Sequence, residues 1–209
     1  MARAVTDPPS SGRVALVTGA GRDREIGTAV CRALAAAGDR VAFTVQPGGP
    51  SDGAALAAEL SAVAIPADLA EADAASALLD AVEERLGAAP AVLVNNAAYE
   101  TRAGFAELDA AALDAHYAVN VRAMALLSVE FARRYPGGAG GRIVNFSSGQ
   151  SLGPMPEELA YAATKGAVLS LTRVMALDQS ADHRDLAECA LEQMGILDPF
   201  DELALEDVG

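Results

Sequence analysis

Apolar positions along the chain come in two rhythms. Residues 13–19 (RVALVTG) are a short apolar run closing on glycine, the pattern of a strand covered on both faces. Residues 26–37 then follow helical spacing until Gly38 stops them. A second apolar run at 41–45 leads into the turn-rich QPGGPSDG. Helical spacing at 54–60 precedes an apolar run at 62–65, and helical spacing at 72–86 precedes another at 91–94. A long helical stretch from about 108 to 134 ends at PGGAGG, a strand follows at 142–146, and a last helix spans about 159–177. Strands alternating with helices predict βαβ units and one α/β domain over 13–177, with a doubly wound parallel sheet. Right-handed crossovers give the order 3-2-1-4-5 most simply.

Composition narrows the function classes. The 209 residues suffice for one domain with a sizeable core. A net charge of −14 argues against nucleic acid as a partner and equally disfavours an anionic membrane surface. No apolar run approaches the roughly 20 residues that a membrane span needs. Residues 1–12 contain no apolar signal core and read as a disordered leader. Cys31 and Cys189 form no disulfide framework, so a reducing cytoplasm is the expected compartment. The charge is uneven: from Asp178 onward there are ten acids and one arginine, a net of −9. Residues 178–209 are therefore expected to be an atypical acidic tail.

The first strand opens into Thr18-Gly19-Ala20-Gly21-Arg22-Asp23-Arg24-Glu25-Ile26-Gly27, where a helix begins. Glycines let the backbone approach a pyrophosphate, and a helix N-terminus offers N–H groups with partial positive charge. A tight turn joining two elements would not need two arginines within it. An acid ending the second strand would hold the ribose hydroxyls of NAD; Val45-Gln46 stand there instead. Arg22 or Arg24 could meet a 2′-phosphate, so NADP is favoured over NAD.

Lys165 is the single lysine of the chain, the other fourteen basic residues being arginine. Tyr161 lies one helical turn before it, on the same face. A phenol of pKa about 10 is a poor acid–base group at neutral pH. A neighbouring cation stabilises the phenolate, so Lys165 is expected to lower that pKa. Ser148 closes the fifth strand within reach of the same substrate oxygen. A chance Tyr/Lys pair on a solvated helix face is the plainer alternative.

The sequence resembles the short-chain dehydrogenase/reductase family from residue 13 to about 177. The resemblance rests on Thr18-Gly19 with Ile26-Gly27, Ala67-Asp68-Leu69, Asn95-Asn96-Ala97-Ala98, Asn120, Ser147-Ser148 and Tyr161-Ala162-Ala163-Thr164-Lys165. It implies a Rossmann-like fold and NADP(H)-dependent ketone–alcohol interconversion on a small-molecule substrate. Tyr161 would exchange the proton, Lys165 would hold the nicotinamide ribose, Ser148 would orient the carbonyl, and Asn120 would anchor a proton-relay water. Gly19, Gly21, Arg22, Ile26, Gly27, Asp68, Leu69, Asn95 and Ala97 would contact the cofactor, together with Tyr161 and Lys165. The stretch SSGQSLGPMPEELAYAATKGA is similar to bacterial 3-oxoacyl-carrier-protein reductase-like members.

Departures from that pattern matter. The phosphate loop is two residues longer than usual, Glu25 stands where a middle glycine is expected, and Ala98 replaces a glycine. After Leu177 neither a sixth nor a seventh strand is recognisable. The fifth strand is then an exposed edge, which the acidic tail or a partner chain is expected to cover. The greasy helix at 166–177, with residues 123–131, suggests a homodimer or homotetramer. A non-catalytic dinucleotide-binding or partner subunit is the alternative reading.

Overall fold

The computed structural model describes residues 12–137, 140–149 and 153–178. The expected leader, apart from Gly12, and the expected tail beyond Asp178 lie outside these residues. So does the expectation that the tail covers the fifth strand.

Five strands, β1 (Val14–Val17), β2 (Arg40–Val45), β3 (Val63–Pro66), β4 (Val92–Asn95) and β5 (Arg142–Asn145), form one parallel sheet. Their order is β3-β2-β1-β4-β5, as the alternation of strands and helices predicts. Six α-helices accompany them among the described residues: α1 (Ile26–Ala36), α2 (Ala54–Leu60), α3 (Ala74–Leu86), α4 (Ala110–Tyr117), α5 (Met124–Arg134) and α6 (Leu159–Asp178).

Side chains alternate across a strand, so each strand feeds two cores. On one face Val14, Leu16, Leu93 and Ile143 pack against Leu78, Leu79 and Val82 of α3 and Leu127 and Phe131 of α5. On the other, Ala15, Val17, Phe43, Val92 and Val94 meet Cys31 of α1 and Leu56 of α2. Burying each large side chain contributes roughly 1.5–3 kcal/mol. This double coverage is why β1 and β4 read as unbroken apolar runs.

The single helix expected at 108–134 is interrupted. Asp109 caps α4 by accepting the Ala112 N–H at 2.8 Å. Residues Ala118–Ala123 then wind as a π-helix before α5 begins. π-turns are rare and concentrate at functional sites; this one carries Asn120. Leu113, Tyr117, Leu126, Val129 and Val174 expose apolar surface on α4, α5 and α6. No helix among the described residues is long and apolar enough to cross a membrane.

Candidate active site

All strand C-termini point to one edge, and the chain leaves β1 and β4 toward opposite faces of the sheet. A crevice opens at such a switch point. It is a cleft of about 620 Å³, lined by Gly19, Arg22, Arg24, Ile26, Gly27, Asp68, Leu69 and Ala97 among others. That volume lies in the range of small-molecule and cofactor sites.

The ends of β1 and β4 are clasped together. The Thr18 hydroxyl accepts the N–H groups of both Asn96 and Ala97 at 3.1 Å. The Asn96 amide returns bonds to the carbonyls of Thr18 (3.0 Å) and Gly19 (2.6 Å). This closeness leaves no room for side chains. A Cβ on Gly27 would sit 2.1 Å from the Gly19 oxygen, and one on Gly19 would sit 2.8 Å from Ala97 Cα. Gly19 also has φ +72°, a left-handed conformation suited to glycine.

The turn's leading N–H groups are already engaged. Gly19 donates to Thr44 Oγ1, Ala20 to the Thr44 carbonyl and Gly21 to Thr28 Oγ1. Thr28 in turn donates to the Arg22 carbonyl at 2.7 Å, which fixes the loop on the first turn of α1. No side chain caps the α1 N-terminus, so its first N–H groups are the donors open to an anion. These features fit a dinucleotide pyrophosphate. One feature opposes it: Glu25 occupies the N-cap position and forms an ion pair with Arg22.

The other cofactor candidates divide. Asp68 lines the cleft, but its carboxylate also accepts the Ala70 N–H at 2.9 Å, so it shapes a turn as well. Gly21 does not line the cleft; a Cβ there would meet Val45 and Gly53. Asn95 lies beneath the cleft, donating to Ser128 and to Asn145 at 2.8 Å. Arg24, at φ +65°, lines the cleft without a hydrogen-bond or ion-pair partner among the described residues.

The catalytic candidates converge at the end of β5 and the start of α6. Ser148 lies beside the Tyr161 phenol, whose pKa it lowers in part, and its Oγ lies 3.7 Å from Met155 Sδ. Lys165 is 3% exposed. Its ammonium donates to the Phe146 carbonyl at 2.8 Å and stands 5.6 Å from the Tyr161 ring centre. Asn120 makes three side-chain hydrogen bonds: its Oδ1 accepts the Tyr99 N–H at 2.7 Å, and its Nδ2 donates to the Tyr99 carbonyl and Thr164 Oγ1. A hollow of about 10 Å³ between Asn95, Asn120, Phe146 and Lys165 has room for one water.

The expected effect of Lys165 on Tyr161 needs correction. Burial pushes the Tyr161 phenol above its ordinary range; the Ser148 hydrogen bond offsets part of this, while Glu100 and Glu158 add to it. Lys165 turns its charge toward a carbonyl, and its own burial lowers its pKa to about 8. Tyr161 consequently keeps its proton at neutral pH, the state of a proton donor. Thr28, Asn96 and Thr164 are the positioning residues that the sequence reading passed over. Only Asn96 and Thr164 carry a sequence signal, as members of the runs at 95–98 and 161–165.

Comparison with known proteins agrees with this architecture. The family model described as short chain dehydrogenase matches residues 13–184. The oxidoreductase YjdA of Bacillus subtilis (strain 168) is 44% identical over 174 residues, covering 78% of this chain and 68% of that one. L-xylulose reductase of Bos taurus is 38% identical over 172 residues, covering 80% and 66%. A short chain dehydrogenase from Burkholderia cenocepacia, solved in complex with NADP, superposes with a TM-score of 0.73 at 35% identity, covering 82% and 70%. The chain thus spans about two thirds of the length of these relatives, and the shared part holds both the cleft and the Ser148–Tyr161–Lys165 cluster. It belongs to the short-chain dehydrogenase/reductase family of NAD(P)-dependent oxidoreductases.

Proposed function

We propose that this chain interconverts a ketone and a secondary alcohol with NADP(H), using Tyr161 as the general acid and base. The observation that carries the reading is the gathering of Ser148, Tyr161 and a buried lysine 5.6 Å from the Tyr161 ring centre. Bound dinucleotide would supply or accept the hydride. Tyr161, protonated at neutral pH, gives its proton to the carbonyl oxygen in reduction and takes one back in oxidation. Ser148 holds the same oxygen by a hydrogen bond. Lys165, bonded to the Phe146 carbonyl, holds α6 and with it Tyr161 against the end of β5.

NADP is preferred over NAD because Arg24 lines the cleft and no acid ends β2. The relative named L-xylulose reductase puts ketoses beside simple ketones and 3-oxoacyl thioesters on the substrate panel. The exposed apolar residues of α4 and α5 support self-association through these helices, which ultracentrifugation would read.

A second reading, a dinucleotide-binding subunit without turnover, is favoured by one observation: an acid stands in the phosphate loop. The deciding experiment follows NADPH oxidation with the panel, for wild type and Tyr161→Phe. Loss of general acid catalysis costs about 10²–10⁴-fold, so a drop of that size supports the enzyme. Tight NADPH binding with equal inertness of both proteins selects the subunit.

A further inference from the structure

We infer that Glu25 is an intramolecular competitor at the phosphate-binding turn, holding Arg22 away from the dinucleotide and setting how weakly the chain binds it. This rests on the reading of the cleft as a dinucleotide site.

Three observations carry it. First, Glu25 ends the turn at φ −88° and ψ 151°, directly before the first turn of an eleven-residue helix. Anions belong at such a place, because the helix presents N–H groups and partial positive charge there. Glu25 does not cap the helix itself. Second, its carboxylate folds back and takes two anion-binding groups for itself. It accepts the Arg22 main-chain N–H at 3.1 Å and forms an ion pair with the Arg22 guanidinium. Third, the pair is unevenly placed: the Arg22 side chain is 60% exposed and that of Glu25 only 26%. Both residues line the cleft beside Gly19 and Gly27. The acid is the more buried of the two.

The consequence is electrostatic. Arg22 and Glu25 together present no net charge, so a pyrophosphate gains only the helix N-terminus. To recruit Arg22, the phosphate must displace a carboxylate from the guanidinium and from one loop N–H. The pair is partly solvated, so the contest is modest in energy and falls with added salt. Removing Arg22 alone does more than delete a contact. It leaves the Glu25 charge uncompensated beside the incoming phosphates.

The test is a titration of the full chain with NADPH and, separately, NADH, at low and high salt. The proteins are wild type, Glu25→Gln, Arg22→Gln and the double variant. Glu25→Gln keeps an oxygen for the Arg22 N–H and removes only the charge. It is expected to tighten both dinucleotides about fivefold at low salt, with a smaller effect at high salt. Arg22→Gln is expected to weaken them about tenfold, and the double variant to recover most of that loss. Thermal unfolding of each protein alone identifies any variant with a disturbed loop, and Glu25→Ser then replaces Glu25→Gln. Equal affinities for wild type and the charge-free variants overturn the inference while leaving the dinucleotide site standing. Absence of binding by all four proteins overturns both.

Discussion

The Lys165 ammonium reaches from α6 to the Phe146 carbonyl, 2.8 Å away, and so ties α6 to the end of β5. The bond carries a charge into the interior, and the protein is less stable for it until that charge is lost. A fall from 10.5 to about 8 corresponds to about 3 kcal/mol between the protonation states.

The sign of the pH dependence follows. Below pH 8 lysine is charged in both folded and unfolded chains, and the full cost of burying the charge is present. Between about 8 and 10.5 the unfolded chain holds a proton that the folded chain has shed, so stability rises with pH. Urea unfolding of wild type and Lys165→Met across this window should show wild type gaining about 2–3 kcal/mol relative to the variant. A constant difference would mean that Lys165 titrates normally.

Gly27→Ala places a methyl 2.1 Å from the Gly19 carbonyl and 2.7 Å from Asn96 Nδ2. The strand clasp must open to admit it, at a cost of about 1–3 kcal/mol. Lower thermal stability together with loss of NADPH binding is the expected result. Undisturbed binding would show that the clasp does not shape the phosphate site.

Asn120→Ala removes three hydrogen bonds at once, two to Tyr99 and one to Thr164. Since Asn120 is buried, the orphaned groups cost about 2–4 kcal/mol together. Denaturant midpoints would measure this. Hydrogen exchange should show faster opening at Tyr99, because its N–H loses its acceptor.

Arg24→Gln tests the choice of dinucleotide. Losing one charge-assisted contact at an exposed position costs about tenfold in affinity. The loss should fall on NADPH and spare NADH. An equal loss for both would assign Arg24 to the pyrophosphate.

How much of this was legible beforehand depended on distance along the chain. The sheet order followed from alternating periods, because parallel strands require crossovers and each strand is buried twice. Tyr161 and Lys165 were legible through one-turn spacing and the rarity of lysine. Thr28 and the Asn96 clasp were not, because their partners are set by how β1, β4 and α1 meet. The π-turn at Asn120 has no hydrophobic signature: Leu127 and Phe131 keep helical spacing beyond it. The direction of the Tyr161 shift is not legible in the sequence for a related reason. Spacing shows that Lys165 is near, but only the fold shows that it points at Phe146.

Because the chain contains a single ε-amine, its lysine chemistry reduces to one buried atom. Carbon-13 dimethylation of that amine would place a single lysine methyl resonance in the spectrum, reporting on α6 without assignment by mutation. Its chemical shift against pH would read the Lys165 charge directly, and its movement on adding a dinucleotide would register occupancy of the cleft from within.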